Sequence, residues 1–236
     1  MSRNSLSYAF PAFVALFVIG LVATTLPYDT AHQDPITKVA FLMLAAAVLS
    51  LASVRVDRGH LTLLGLGIGA TAILLNPLNA ALAGLAMAIG QLRRPRWHVL
   101  TNATVYAAIA SLGATVAIHL DQSGTLTLGA RLVVLVITNL ADIALVALAL
   151  SIRTGESIAS VVRHNLTVSF YLAFAYFALG ALLITYVLDG SLLGYFLATI
   201  VCVLALALTD TISGRRVRRV LESELSDADR HLFHSR

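Results

Sequence analysis

Long apolar segments recur along this chain and constrain its fold more than any other feature. An α-helix needs about 20 apolar residues to cross the ~30 Å hydrocarbon core of a bilayer. Only 12% of the residues are charged, against about 25% in a typical soluble domain. The sequence therefore predicts an all-α, polytopic integral membrane helical bundle with about eight membrane segments. These segments are residues 8–26, 37–53, 61–75, 78–92, 98–120, 126–152, 166–188 and 191–209.

The third and fourth segments, residues 61–75 and 78–92, are short and lie on either side of Asn76 and Pro77. As a helix, each rises only ~22 Å at 1.5 Å per residue. That is less than the hydrocarbon core, so the pair is either a thin helical hairpin or a re-entrant loop.

Positive residues predict the orientation, because cytoplasmic loops of membrane proteins carry an excess of Lys and Arg. With the N-terminus in the cytoplasm, only Lys38 and Arg131 fall outside, and the other basic residues lie inside. We therefore expect a multi-pass protein of the cell inner (cytoplasmic) membrane with both termini cytoplasmic. The net charge of +4 then reflects topology and not nucleic-acid binding.

The chain changes character near its C-terminus, which predicts a transmembrane domain over residues 1–213 and a cytoplasmic amphipathic juxtamembrane helix over 214–236. Apolar residues recur in this tail at spacings of four, three and four, at Leu221, Leu225, Ala228 and Leu232. A basic cluster precedes them and suits anionic lipid headgroups or a protein partner. Its members are Arg215, Arg216, Arg218 and Arg219.

Asp142 lies near the middle of the sixth segment. A carboxylate at the bilayer centre costs at least ~2.5–3.5 kcal/mol, so it should face protein, a partner or water. Asn139 is one turn away on the same face, and Asn102 meets Asp142 if the fifth and sixth helices are antiparallel neighbours. With Tyr176 of the seventh segment, these residues form either inter-helix hydrogen bonds or a small polar pocket for a ligand or a proton.

Small residues recur at four-residue spacing, as in Gly65 and Gly69 and again in Ala80, Gly84 and Ala88. Such faces let helix backbones approach closely in lipid. They indicate either a docking surface for a partner or tight packing within the subunit.

Catalytic signatures are missing from the sequence. It has no HExxH, no Walker A motif, no dinucleotide-binding glycine fingerprint and only one cysteine, Cys202. We expect no enzymatic activity and no metal site, and the residues leave any cofactor unknown. An intramembrane hydrolase is disfavoured because no second acid or nucleophile pairs with Asp142.

Several short motifs resemble the multi-span N-terminal sensory region of bacterial HD-GYP and GGDEF signalling proteins, which is itself similar to the S-components of vitamin importers. They are VRV (54–56), GHLTL (59–63), LNPLNAALAG (75–84), RRPRW (93–97), TNATVY (101–106), TN (138–139) and the stretch from Gly155 to Arg163. The resemblance implies a ligand-sensing membrane domain, but no catalytic output domain for cyclic dinucleotides follows within these 236 residues.

The leading hypothesis is a non-enzymatic membrane sensor or small-ligand-binding module. A small apolar or amphipathic molecule is expected among the fifth, sixth and seventh helices, and the C-terminal helix is expected to signal to a protein partner. Two alternatives stay open. The chain is an S-component-like substrate-binding subunit of a transporter, or a structural accessory subunit of a larger membrane complex.

Overall fold

The computed structural model describes residues 3–31, 33–51, 53–56, 59–92, 94–121, 126–165 and 168–211, and most of them are helical. The helices are α1 Arg3–Ala31, α2 Ile36–Leu51, α3 Leu64–Leu74, α4 Pro77–Ala86, α5 Arg96–Leu120, α6 Leu128–Thr154, α7 Ile158–Asn165, α8 Val168–Val187 and α9 Leu192–Thr211. A 3-10 helix, Met87–Gln91, continues α4, and two short strands, β1 Ser53–Val56 and β2 Gly59–Thr62, follow α2.

Four helical segments of the described residues are long and apolar enough to cross a membrane, namely Ala9–Tyr28 of α1, α5, α6 and α9. Three more are apolar but shorter: α2, α3 and Phe174–Val187 of α8. The prediction of a helical bundle is confirmed, and the four long helices fit a membrane protein. The number of eight membrane segments stays a prediction.

The ends of α6 are fixed by local capping, which moves the helix two residues beyond the predicted 126–152. At its start, the Thr127 hydroxyl accepts a hydrogen bond from the Ala130 N–H, which satisfies one of the free amides of the first turn. At its end, Gly155 has φ 77°, a left-handed conformation that favours glycine.

The polar connector after α2 forms an antiparallel hairpin in which Ser53 pairs with Thr62 and Val56 with Gly59. Strand β2 thus takes residues 59–62 and shortens the predicted third segment. The helical part that remains, α3, has 11 residues and rises only ~17 Å.

Helix α3 is the central element of the bundle, with nine of its eleven residues buried. It packs against α2, α5, α6 and α8. Gly69 allows this close packing, because an added Cβ there would lie 2.9 Å from the Ala181 Cβ on α8. The short apolar segment is therefore a core helix with neighbours on several sides.

The second small-residue face, on α4 and the 3-10 helix that continues it, packs against α5. Ala80, Gly84 and Ala88 are buried, and an added Cβ at Gly84 would lie 2.6 Å from the Ala107 Cα. At Gly69 and Gly84, the small-residue faces thus pack against the chain's own helices. This supports tight packing within the subunit, and docking of a protein partner on these faces stays a prediction.

The outer surface of the bundle is apolar. Leu16 on α1, Leu140 on α6 and Phe196 on α9 are about 60–70% exposed, and Leu192 is 88% exposed. Large apolar side chains with this exposure suit contact with lipid hydrocarbon better than contact with water.

The bundle has two distinct ends. The arginine-rich end is where α5 begins and α6 ends, with Arg94, Arg96 and Arg153 exposed. At the opposite end, the turn between α3 and α4 meets the connection between α1 and α2. There the Asp34 carboxylate accepts hydrogen bonds from the Asn76 N–H (2.8 Å) and the Asn79 side-chain amide (2.9 Å).

Candidate functional site

A hydrogen-bonded network joins the 3-10 helix to α5 near the arginine-rich end. Gln91, the last residue of the 3-10 helix, is buried. Its Nε2 donates to the Tyr106 hydroxyl at 2.7 Å, and its Oε1 accepts a hydrogen bond from the Asn102 Nδ2. Asn102 and Tyr106 are four residues apart, so they lie on one face of α5 and a single glutamine reaches both.

Asp142 lies on α6, which packs against α5. Helices α5 and α6 are antiparallel neighbours, since a Cβ at Gly113 would meet Thr138 and the Arg153 side chain meets His98. This register places Asp142 level with Ile109, about one turn further along α5 than Tyr106.

The Asp142 side chain is half-buried on α6. It lies on the α6 face that also carries Leu135 and Thr138, which are both buried. It is densely surrounded by protein, yet it keeps part of its surface accessible. Among the residues that the structure describes, none donates a hydrogen bond or forms a salt bridge to it. Within the described residues, this carboxylate near the middle of α6 is thus left without a hydrogen-bond donor or a counter-charge.

The structure brings together some of the predicted site residues but not all of them. Asn102 lies beside the site, but its hydrogen-bond partner is Gln91 and not Asp142, because Asn102 is one turn closer to the arginine-rich end than Tyr106. Asn139 is half-buried, and no hydrogen bond joins its side chain to another part of the described chain.

Tyr176 does not belong to this group. Its hydroxyl donates to the Ala205 carbonyl on α9 at 3.5 Å, and its ring packs against Phe177. It therefore contributes to the contact between α8 and α9. The predicted lipid- or partner-binding arginines at positions 215, 216, 218 and 219 lie outside the described residues.

The sequence analysis missed Gln91 and Tyr106. Two signals in the sequence point to them. Gln91 is an isolated amide within the apolar fourth segment, and Tyr106 follows Asn102 at the i, i+4 spacing of a helix face.

A second polar contact closes the arginine-rich end. The Arg153 guanidinium donates to the His98 Nε2 at 2.8 Å, since arginine has no acceptor atom. The His98 Nδ1 and the Thr101 Oγ1 are buried and have no hydrogen-bond partner within the described ranges. This contact fixes the start of α5 to the end of α6.

At the opposite end, the two predicted outside cations have structural partners. The Lys38 Nζ donates to the Leu74 carbonyl at 3.4 Å. The Arg131 guanidinium donates to the carbonyl and hydroxyl oxygens of Thr185 and to the Leu126 carbonyl, and it lies 4.1 Å above the Tyr186 ring. Arg131 thereby ties the start of α6 to the end of α8, where a cation also compensates free helix carbonyls.

The connection between α8 and α9 contains an exposed carboxylate with local partners. The Asp189 side chain accepts a hydrogen bond from the Ser191 N–H at 2.8 Å. Hydrogen bonds from Ser191 lower the pKa of Asp189 below its ordinary value, because they favour the ionised form.

Comparison with known proteins gives no relative from which a role can be taken. No family model, no curated protein and no solved structure matches this chain. The resemblance to signalling-protein sensory regions and to S-components stays a prediction from the sequence.

Proposed function

We propose that this chain is a non-enzymatic integral membrane protein that binds a small ligand beside Asp142 and signals through a protein partner. The observation that carries the proposal is the Asp142 carboxylate, which is enclosed at mid-helix without a hydrogen bond or counter-charge from the described residues. An ionisable group within a membrane span is costly, and it persists where it has a function.

The surroundings of Asp142 support a binding site better than a purely structural role. The amides of Gln91 and Asn102 bond to each other and to Tyr106, so this network satisfies itself without the carboxylate. A structural aspartate would be expected to join such a network, because unpaired buried polar groups destabilise a fold. Asp142 instead has no hydrogen bond to this network and retains accessible surface.

We place the bundle in the inner membrane with the arginine-rich end in the cytoplasm. The distribution of arginine and the apolar outer surface support this orientation. The contact of Asn76 with Asp34 supports a complete α3–α4 hairpin, because the turn reaches the end of the bundle opposite the arginines. Eight segments and a cytoplasmic tail follow from this placement.

We expect a conformational change on ligand binding to pass from the Asp142 site to the partner protein through the Gln91 network. Ligand contacts with Tyr106 or Asp142 would shift α5 relative to the 3-10 helix, because Gln91 bonds to α5 at two points. That shift would reach the arginine-rich end, on the side where the predicted juxtamembrane helix, residues 214–236, is expected to meet its partner.

Replacement of Asp142 by Leu tests the proposal. Purified protein in lipid nanodiscs is screened against a mixed small-molecule library by thermal unfolding, since a ligand that binds only the folded state raises the melting temperature. A true ligand stabilises the wild type and the matched control Asp210→Leu, whose carboxylate is exposed on α9, but not Asp142→Leu. An identical ligand profile and identical partner association in a well-folded Asp142→Leu protein would remove the site.

A further inference from the structure

Four exposed arginines share the arginine-rich end of the bundle. Arg94 and Arg96 lie where α5 begins, Arg153 lies in the last turn of α6, and Arg163 lies on α7. The hydrogen bond from Arg153 to the His98 Nε2, at 2.8 Å, holds the end of α6 against the start of α5. Helix α7 follows α6 and packs against it. The four guanidinium groups therefore lie at one end of the bundle.

Positive charge exceeds negative charge at this end. Among the side chains that the structure describes there, the carboxylates are Glu156, just after α6, and Asp210, near the end of α9. The neighbouring connectors are also basic, because residues 52–63 contain two arginines and one aspartate and position 93 is an arginine. Residues 214–236, which follow α9 in the chain, contain six arginines and four acidic residues. Each of these segments adds positive charge on balance.

Exposed apolar side chains accompany these arginines. Leu92 is 67% exposed, Leu100 is 54% exposed and Ile158 is 47% exposed. Leu100 follows Arg96 by four residues, so the two lie on one face of α5, with the charge at the helix end and the leucine one turn further into the bundle. A positive group followed by an apolar one is the order that a phospholipid requires, since its charged headgroup is followed by hydrocarbon.

From this arrangement we propose that the arginine-rich end binds anionic phospholipids, with Arg94 and Arg96 on the headgroup phosphate and Leu100 against an acyl chain. Guanidinium groups bind phosphate oxygens through paired N–H donors. Each arginine near a membrane surface strengthens the attraction to anionic lipid by roughly fivefold. Exposed leucines on the same face favour lipid over nucleic acid or an acidic protein, because they need contact with hydrocarbon. The inference is independent of the Asp142 site.

The chain carries its own probe of this surface. Trp97 is the only tryptophan in the sequence, and it lies between Arg96 and His98. Bromine atoms on an acyl chain quench the fluorescence of a tryptophan that they contact. The whole chain in mild detergent is therefore titrated with dibrominated phosphatidylglycerol, which is anionic, and separately with dibrominated phosphatidylcholine, which has no net charge.

We expect half-maximal quenching of Trp97 at a phosphatidylglycerol concentration at least about fivefold lower than the phosphatidylcholine concentration. The double variant Arg94→Gln and Arg96→Gln should lower this preference at least about fivefold, since both side chains are exposed and their charge is removed. The matched control replaces the four tail arginines at positions 215, 216, 218 and 219 by Gln and should keep the preference. Sodium chloride at ~1 M should reduce the preference of the wild type, because it screens exposed charges. This salt titration decides the question if the double variant does not fold.

Three results overturn the inference. The first is equal quenching of the wild type by the two lipids at low salt. The second is a preference that the tail variant loses and the double variant keeps, because the tail would then be the lipid-binding segment. The third is displacement of phosphatidylglycerol by inorganic phosphate at constant ionic strength, because the surface would then bind a free anion and not a lipid.

Discussion

Replacement of Gly84 by Ala is the sharpest test of the packing that positions the site. An added Cβ would lie 2.6 Å from both the Ala107 Cα and the Tyr106 carbonyl oxygen. These are backbone atoms, so no rotamer change can relieve the contact. Carbon atoms normally approach to about 3.5–4.0 Å, and α4 and α5 must therefore separate by ~1 Å.

The size of the effect follows from this separation. A gap of 0.5–1 Å forfeits about a quarter to a half of each dispersion contact, and overpacking of a filled core typically costs ~1–3 kcal/mol. The higher helix propensity of alanine returns up to ~1 kcal/mol. We expect Gly84→Ala to lower the free energy of unfolding by ~1–2 kcal/mol. It should also weaken the site, because the Tyr106 backbone is one of the groups displaced.

Gly20 on α1 provides the matched control, since an added Cβ there meets nothing within 4 Å. Gly20→Ala should be neutral or slightly stabilising. The free energy of unfolding of both variants and of the wild type is measured by reversible unfolding in mixed micelles, with circular dichroism as the signal. If Gly84→Ala were as stable as Gly20→Ala, the close contact of α4 with α5 described above would be wrong.

Three further substitutions test the polar contacts, each by the same unfolding measurement. Asp34→Ala removes the acceptor for Asn76 and Asn79 and should lower the free energy of unfolding by ~1.5–3 kcal/mol, because these bonds involve a charged group. An unchanged free energy of unfolding would show that these hydrogen bonds do not stabilise the fold. Arg131→Lys keeps the positive charge but cannot reproduce the forked donor geometry of arginine. We expect the free energy of unfolding to fall by ~1 kcal/mol. An unchanged value would mean that the positive charge at position 131 is enough to hold α6 against α8. Gln91→Leu leaves the Tyr106 hydroxyl and the Asn102 amide without their partner and should cost ~1–3 kcal/mol, whereas a neutral result would remove the network as a stabilising element.

The candidate site was predictable only in part. Asp142 stands out in the sequence because one acidic residue interrupts a long apolar segment. Its position level with Ile109 depends on the register between α5 and α6, which local patterns do not specify. The same register explains why Asn102 bonds to Gln91, a residue from a different element, and why Tyr176 packs against α9.

The sequence by itself determined the helical bundle and its apolar surface. Both properties follow from local composition, because a lipid-facing segment must be apolar and must satisfy its backbone hydrogen bonds within itself. The positions of the arginines along the chain also predicted the orientation, because this rule does not depend on which helices are neighbours.

Only the tertiary structure decided which helix occupies the centre and which polar groups meet. Helix α3 is short and glycine-rich, and it lies at the centre because its neighbours pack closely around it, as Gly69 does against Ala181 of α8. Such contacts join residues that are distant in the chain, and their energies depend on shape at the scale of a single methyl group. For this reason the sequence pattern marked small residues as packing surfaces without naming the helices that cover them.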